Sequence, residues 1–372
     1  MEEGPRSPLD KARKIMDNNI QIYADIFRNP IVMASALAEN TRIGFGPLTD
    51  AFARAHTYLR IAVTDRCNLR CLYCMPPAGV SWAPSSLLLT DNEFVRLCEL
   101  FARLGVRKIR LTGGEPLLRP GLASLAGAIK GIGGIETVGI TTNGVRLAAQ
   151  ARALRVAGVD RLNVSLDSLR RNRFEQIARR DGLGEVLSGI DAALEAGFTG
   201  VKINTVVMGG CNDDELADFV ELTRGLPVCV RFIEFMPFLG NRWCDAHLVS
   251  YASMRAAIEA RYAILPVADP DPSRVAKEFK VPGFAGSIGF ITSMTEHFCG
   301  GCSRLRITAD GQFKTCLFRS PEVNLRDALR GGAADEEIAA LAAEALYLKP
   351  RQHADIRELE RRADRSMFQV GG

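Results

Sequence analysis

Histidine is scarce in this chain: four residues in 372, with none between His56 and His247. A zinc site built from cysteine pairs and histidine is therefore disfavoured over that stretch. Net charge is thin as well, +4 at pH 7, too little to argue for nucleic acid or an anionic membrane as a partner. No apolar run approaches the roughly 20 residues of a bilayer span, so no membrane segment is expected. No secretory leader is recognisable, which argues for free thiols in a reducing, cytoplasmic setting rather than disulfides. A G-x4-G-K-[ST] loop is also missing, so a nucleotide would not be held in the P-loop manner.

What the chain has in excess is cysteine. Six of its ten cysteines fall in two tight groups, while Cys98, Cys211, Cys229 and Cys244 are scattered and read as ordinary buried or neutral positions. Hydrophobic content of 47% and charged content of 24% are those of a globular protein, long enough for one large domain or two of ordinary size. The first group, Cys67, Cys71 and Cys74, has C-x3-C-x2-C spacing directly after an apolar run at 59–63. Three thiolates that close on one loop can each bind a different metal of a shared cluster. With no fourth cysteine nearby, one iron of a [4Fe-4S] cluster keeps an open position, and an open position is where substrate chemistry takes place. A structural zinc site is the competing reading.

Residues 1–46 read as an N-terminal extension of undetermined role. Their acids and bases balance, unlike those of a transit peptide, and a weak helical pattern breaks at Asn29-Pro30. From Tyr58 the pattern turns regular. Buried strands are expected at 59–63, 108–111, 137–141, 161–165, 201–207 and 230–235, with helices at 91–104, 122–130, 148–157, 184–196 and 213–222 between them. Strand alternating with helix predicts parallel βαβ units. The fold class is thus α/β: a partial (βα)6 TIM-type barrel over 47–265, with chemistry at the carboxyl ends of its strands. Residues 266–372 are expected to form a C-terminal extension carrying a β-hairpin and the second cysteine group.

The expected strand ends carry polar or glycine-rich loops. Thr112-Gly113-Gly114-Glu115-Pro116 follows the second, and its glycines let backbone amides approach a ligand closely. Thr141-Thr142-Asn143-Gly144, Ser165-Leu166-Asp167 and Glu234-Phe235-Met236-Pro237 end later strands on the same rim. Arg60, Arg110, Lys202 and Arg231 sit inside apolar strand patterns, where a charge is costly unless paired. Four such cations suggest a polyanionic ligand, since Arg and Lys are the usual phosphate partners. Arg231 could instead pair internally with Glu234.

The second group is Cys299, Cys302 and Cys316, within FCGGCSRLRITADGQFKTCLF. Asp310-Gly311 between two alternating runs signals a hairpin. A two-residue turn would pair Cys316 with Leu305. A three-residue turn, Ala309 to Gly311 with the glycine left-handed, would pair Cys316 with Arg304. The second register places Cys302, Arg304, Arg306 and Cys316 on one face, and it is the one expected. A zinc knuckle is the alternative reading of these three cysteines.

The first cysteine spacing, with Tyr73 just before the third cysteine, resembles the radical S-adenosylmethionine (SAM) superfamily. Together with KIRLTGGEPLLR, ITTNG, LNVSLDS, RFIEFM, ITSMTEHFCGGCSRLRIT and the terminal Gly371-Gly372, the chain from about Pro47 resembles the molybdenum cofactor biosynthesis protein A family, the GTP 3',8-cyclases. The resemblance implies two [4Fe-4S] clusters, one for SAM on Cys67, Cys71 and Cys74, and one facing GTP on Cys299, Cys302 and Cys316. It implies SAM contacts at Tyr73, Gly114, Ser165 and Met236, and GTP contacts at Arg60, Arg110, Thr141, Lys202, Arg304 and Arg306. Arg304 and Arg306 are implied to act catalytically, and the glycine tail to enter the active site. The implied reaction opens molybdenum cofactor synthesis. SAM yields methionine and 5'-deoxyadenosine, and GTP becomes its 3',8-cyclo-7,8-dihydro form. Implied partners are an electron donor, the downstream cyclic pyranopterin monophosphate synthase and a second copy in a homodimer. A radical SAM peptide maturase with auxiliary clusters and a zinc-stabilised binding protein are the rival readings.

Overall fold

Strand follows helix along most of the chain, and the strands line up in order. The structure, a computed structural model, describes residues 46–76, 80–268, 271, 273–318, 322–362 and 365–371. The expected N-terminal extension through residue 45 and Gly372 of the terminal pair lie outside the described residues. Everything from Pro47 onward belongs to one compact unit. Its first six strands are β1 (Tyr58–Ala62), β2 (Lys108–Thr112), β3 (Thr137–Thr142), β4 (Arg161–Ser165), β5 (Lys202–Val207) and β6 (Cys229–Glu234), each parallel to the next.

Six later strands complete the sheet: β7 (Leu265–Pro266), β8 (Ala276–Lys280), β9 (Ser287–Ile291), β10 (Arg304–Ile307), β11 (Gln312–Lys314) and β12 (Val323–Asn324). Their placement differs from their sequence. β9 pairs parallel with β6 at one side of the parallel block, and β10 pairs parallel with β1 at the other. Antiparallel β8 and β7 extend the first side, and antiparallel β11 and β12 the second. The result is one open, mixed sheet of twelve strands, in the order β12-β11-β10-β1-β2-β3-β4-β5-β6-β9-β8-β7. The C-terminal hundred residues are therefore not appended to one end. They supply the flanking strands on both sides.

Between the strands run α1 (Asp91–Arg103), α2 (Leu122–Lys130), α3 (Leu147–Val156), α4 (Arg171–Ala178), α5 (Leu183–Glu195) and α6 (Leu216–Gly225). Helix α1 shows why they form where they do. Thr90 and Glu93 make a reciprocal capping box: the Glu93 amide donates to Thr90 Oγ1 at 3.3 Å and the Thr90 amide to Glu93 Oε2 at 2.7 Å. Phe94, Leu97, Cys98 and Phe101 then fall on one fully buried face. Each large apolar side chain so buried contributes about 1.5–3 kcal/mol.

The expected boundaries hold within a residue or two except at α6. Asp213–Glu215 form a separate 3-10 turn, because Glu215 is drawn inward to accept from Ser168 Oγ and the Leu169 amide. Helix α4 was not expected. Its sequence RNRFEQIA is mostly polar, and only Phe174, Ile177 and Ala178 are buried. Among the described residues no helix is long and apolar enough to cross a membrane.

A candidate active site at the strand ends

Within the six-strand block the side chains alternate strictly. Leu59 and Ile61, Ile109 and Leu111, Val138 and Ile140, Leu162 and Val164 are buried at 0–1% exposure under the helices. The residues between them, among them Arg60, Arg110, Thr141 and Asn163, line a cavity of about 920 Å³ on the opposite face. All six grouped cysteines line the same cavity. So do Tyr73, Gly114, Ser165 and Met236, and Lys202, Arg231, Arg304 and Arg306. Every site residue named from the sequence thus faces one space.

The first cysteine loop leaves β1 and is braced by the loop after β2. A Cβ on Gly114 would lie 2.2 Å from the Arg66 carbonyl oxygen, and one on Gly113 (φ +146°) 2.3 Å from that of Thr64. The Gly114 amide donates to Thr64 O at 2.8 Å and the Glu115 amide to Arg66 O at 2.6 Å. The two glycines therefore serve close packing of loop on loop. The Gly114 amide is taken by the protein in this way, where the sequence expectation had it approaching a ligand. Glu115 completes the brace by accepting from the Leu117 and Asn143 amides and from Thr142 Oγ1. Burial nevertheless pushes its carboxyl up to about 7.

Tyr73 donates its hydroxyl to Asp167 Oδ2 at 2.8 Å, and Asp167 Oδ1 accepts the Val206 amide at 2.8 Å. This ties the cysteine loop to the ends of β4 and β5. Burial raises the Cys67 thiol to about 11 and moves Cys71 and Cys74 upward as well, the neighbouring thiols adding to it. Bonding to a metal is what relieves such buried thiolates. Among the described residues no three His, Cys, Asp or Glu side chains converge as ligands of a single ion would. Thiolates that each bond a different iron need not converge in that way.

Beyond the cysteines the cavity is cationic. Arg306, Arg60 and Arg110 stand side by side on β10, β1 and β2, in direct register. Gly139 on β3 continues the row, and a Cβ there would come within 2.8 Å of the Arg110 guanidinium. Arg110 donates from Nε to the Tyr58 hydroxyl at 2.6 Å and from its amino group to the Ile140 carbonyl at 3.0 Å. Burial lowers Arg306 to about 9, with Arg60 and Arg304 adding repulsion, and lowers Arg231 to about 10 and Lys202 to about 8. Burial would raise Tyr58, but Arg110, Arg60 and Lys108 outweigh it and draw the phenol down to about 6. Such a cluster of like charges is what an anion would relieve.

Arg231 does not pair with Glu234. Three residues apart on one strand, they point to opposite faces. Glu234 instead accepts from the Tyr251, Met294 and Thr295 amides. Arg231 Nε, Thr141 Oγ1, Asn163 Oδ1, Asn204 Oδ1 and one Arg306 amino nitrogen are buried without a hydrogen-bond partner among the described residues. Each such atom costs about 1–3 kcal/mol if left so, and all five belong to residues that line the cavity.

The second cysteine group closes another part of the wall. Cys299 opens a 3-10 turn, Cys299–Gly301, and the Cys302 amide donates back to Cys299 O at 3.1 Å. The hairpin register is the three-residue one: Arg306 pairs with Lys314 and Ile307 with Phe313, around Gly311 at φ +80°. Continued two residues, it sets Cys316 opposite Arg304. Arg304 lies over the Phe298 ring at 4.8 Å and reaches to 3.8 Å from Cys302 Sγ. Burial would raise the Cys302 thiol, but Arg304 and Lys349 bring it down to about 7.

Sequence reasoning missed Tyr58, Asn163, Asn204 and Lys349. The first three lie two positions from a named residue on their own strands, so the two-residue alternation could have found them. Lys349 has no such signal. Gly371, the described member of the terminal pair, is buried, with φ +83°, and a Cβ would meet Thr112 Oγ1 at 2.7 Å.

Residues 61–223 match the family described as the Radical SAM superfamily, and residues 228–355 that described as Molybdenum Cofactor Synthesis C. Molybdenum cofactor biosynthesis protein 1 of Mus musculus is 51% identical over 324 residues, covering 87% of this chain and 51% of the relative. The chain thus spans about half the length of that relative. GTP 3',8-cyclase, mitochondrial, of Arabidopsis thaliana is 48% identical over 87% of this chain and 83% of its own. GTP 3',8-cyclase of Pelotomaculum thermopropionicum is 45% identical over 87% of this chain and 100% of its own. Among solved structures, Streptococcus suis SuiB bound to S-adenosylmethionine superposes with a TM-score of 0.53 at 15% identity, over 77% of this chain and 68% of SuiB, a likeness of fold.

Proposed function

Given that this chain belongs to the GTP 3',8-cyclase family of radical SAM proteins, we propose that it converts GTP to (8S)-3',8-cyclo-7,8-dihydroguanosine 5'-triphosphate, the first step of molybdenum cofactor synthesis. The observation that carries this reading is the single cavity bordered by both cysteine groups and by the row Arg306, Arg60 and Arg110. A sulfur-rich set suits iron clusters, and a row of guanidiniums with orphaned polar atoms suits a triphosphate nucleotide. The six parallel strands with their intervening helices support a partial barrel over 47–265, with 266–372 as the auxiliary region.

In this reading Cys67, Cys71 and Cys74 hold one [4Fe-4S] cluster, and Cys299, Cys302 and Cys316 a second. Tyr73, Gly114, Ser165 and Met236 surround SAM. A [4Fe-4S] cluster on Cys67, Cys71 and Cys74 would supply the electron for cleaving SAM, and SAM the hydrogen-abstracting chemistry at the ribose. The protein's own work is positioning. Arg60, Arg110, Lys202 and Thr141 bind GTP and keep its ribose within reach of SAM. Arg304 and Arg306, beside the second group, add positive charge or a proton as the cyclised nucleotide radical takes up one electron to give the product. An external electron donor, transfer of product to the cyclic pyranopterin monophosphate synthase, a homodimer and a cytoplasmic location complete the proposal.

The test is an anaerobic assay of reconstituted protein with SAM, dithionite and GTP, read by mass spectrometry. Deoxyadenosine formed only with GTP, alongside a cyclised isomer of GTP, is the expected result. SAM cleavage indifferent to GTP would keep the radical chemistry and remove the substrate.

A further inference from the structure

Behind the second cysteine group lies a buried cluster that the reaction does not account for: Asp50, Arg54, His56 and Lys349. Lys349 follows α7 (Tyr251–Glu259), α8 (Leu325–Arg330) and α9 (Asp335–Tyr347) in the chain and is 4% exposed. Its ammonium nitrogen is 2.8 Å from His56 Nε2, 3.4 Å from Cys302 Sγ and 3.3 Å from the Arg304 carbonyl oxygen. An ammonium has three N–H donors, and these acceptors take all three.

The histidine's tautomer follows from its other nitrogen. His56 Nδ1 is 2.8 Å from the Arg54 carbonyl oxygen, which can only accept, so Nδ1 carries the proton and Nε2 presents its lone pair to Lys349. Arg54 is fixed in turn. Its Nε donates to Asp50 Oδ2 at 2.6 Å, and its amino groups to the carbonyls of Cys299 at 2.7 Å and Pro350 at 2.8 Å. Of the three acceptors around Lys349 only Cys302 can carry a negative charge, and a buried cation needs one. The two cysteine groups differ in this. The amide of Asn143, a neutral donor, stands 3.9 Å from Cys67 Sγ.

We propose that Lys349 is a positioning residue for the second cluster, raising that cluster's reduction potential through its buried charge and its N–H···S contact with Cys302. The inference rests on the reading of Cys299, Cys302 and Cys316 as cluster ligands. Positive charge and hydrogen bonds at a ligand sulfur stabilise the more negative, reduced cluster.

The experiment uses the full chain with Cys67, Cys71 and Cys74 all replaced by Ala, so that only the second cluster assembles. Iron content and a redox titration followed by electron paramagnetic resonance are compared for Lys349, Lys349→Met and Lys349→Gln. The expected result is equal iron, a midpoint shifted to more negative potential in the Met variant, and a smaller shift in the Gln variant, which keeps a neutral donor. Equal midpoints in all three overturn the proposal. Should the Met variant fail to assemble a cluster, the Gln midpoint decides in the same two ways. No iron in the chain that retains Lys349 overturns the cluster reading itself, and the inference with it.

Discussion

Arg306 on β10 stands beside Arg60 on β1, register partners on adjacent parallel strands that the chain makes far apart. Two guanidiniums so placed repel one another, and the site tolerates the arrangement because both face the cavity. Under the function proposed above, the sheet spends stability on recognising an anion, and the trade can be measured.

Arg231→Met should make the free protein more stable while weakening its response to GTP. Arg231 is buried, and its neighbours Arg110 and Arg60 repel it. Replacing a buried charge by an apolar side chain of similar volume gains about 1–2 kcal/mol, or about 2–4 °C in Tm for a domain of this size. Thermal unfolding with and without GTP checks both halves. A lower Tm without GTP would mean that Arg231 is held by partners of its own.

Arg306→Gln should leave SAM cleavage in place and abolish the cyclised product, because Arg306 lies on the β10 side of the cavity with Arg304 and Cys302. Deoxyadenosine and cyclised nucleotide are quantified in the same reaction. Loss of both would remove its assignment to the GTP end.

Gly139→Ala tests the row of guanidiniums without touching a charge. The added methyl lies 2.8 Å from the Arg110 guanidinium, which must swing away. Overpacking of this kind costs about 1–3 kcal/mol. A rise in KM for GTP of about tenfold or more is expected with kcat for SAM cleavage little changed. Steady-state kinetics decide, and an unaltered KM would place Arg110 outside the GTP site.

The contribution of Glu115 to stability should fall as pH rises toward neutrality. Burial raises its carboxyl from an ordinary 4.5 to about 7. The folded protein then binds a proton that the unfolded chain has released, so this contribution is complete below pH 4.5 and lost as pH rises past about 7. Urea unfolding at several pH values between 5 and 8 should give a flatter profile for Glu115→Gln. An identical slope in both proteins would assign the pH dependence elsewhere.

The strands and helices of the βα block were legible because short apolar runs and helical periods alternate along residues 59–235. The buried cations were legible for the opposite reason, since Arg60 and Arg110 interrupt apolar runs where only a ligand or a partner justifies them. The hairpin register followed from Asp310-Gly311 and the parity of Cys316. The joining of β9 to β6 and of β10 to β1 was not legible. Parallel pairing across so long a separation leaves no local mark, and a four-residue run such as Arg304–Ile307 looks the same at an edge as inside a sheet. Lys349 was invisible for a related reason: its three acceptors come from residues 56, 302 and 304, and only folding brings them together.

The late arrival of β10 has a consequence for how the protein is made. During translation β1 emerges early, pairs with β2, and keeps its other edge unsatisfied until residues 304–307 have left the ribosome, roughly 240 residues later. Through that interval the nascent chain presents a row of bare peptide groups, the kind of template on which strands of other molecules add. A transcript truncated anywhere before that point should therefore yield aggregates or chaperone-bound chains in place of a smaller working enzyme.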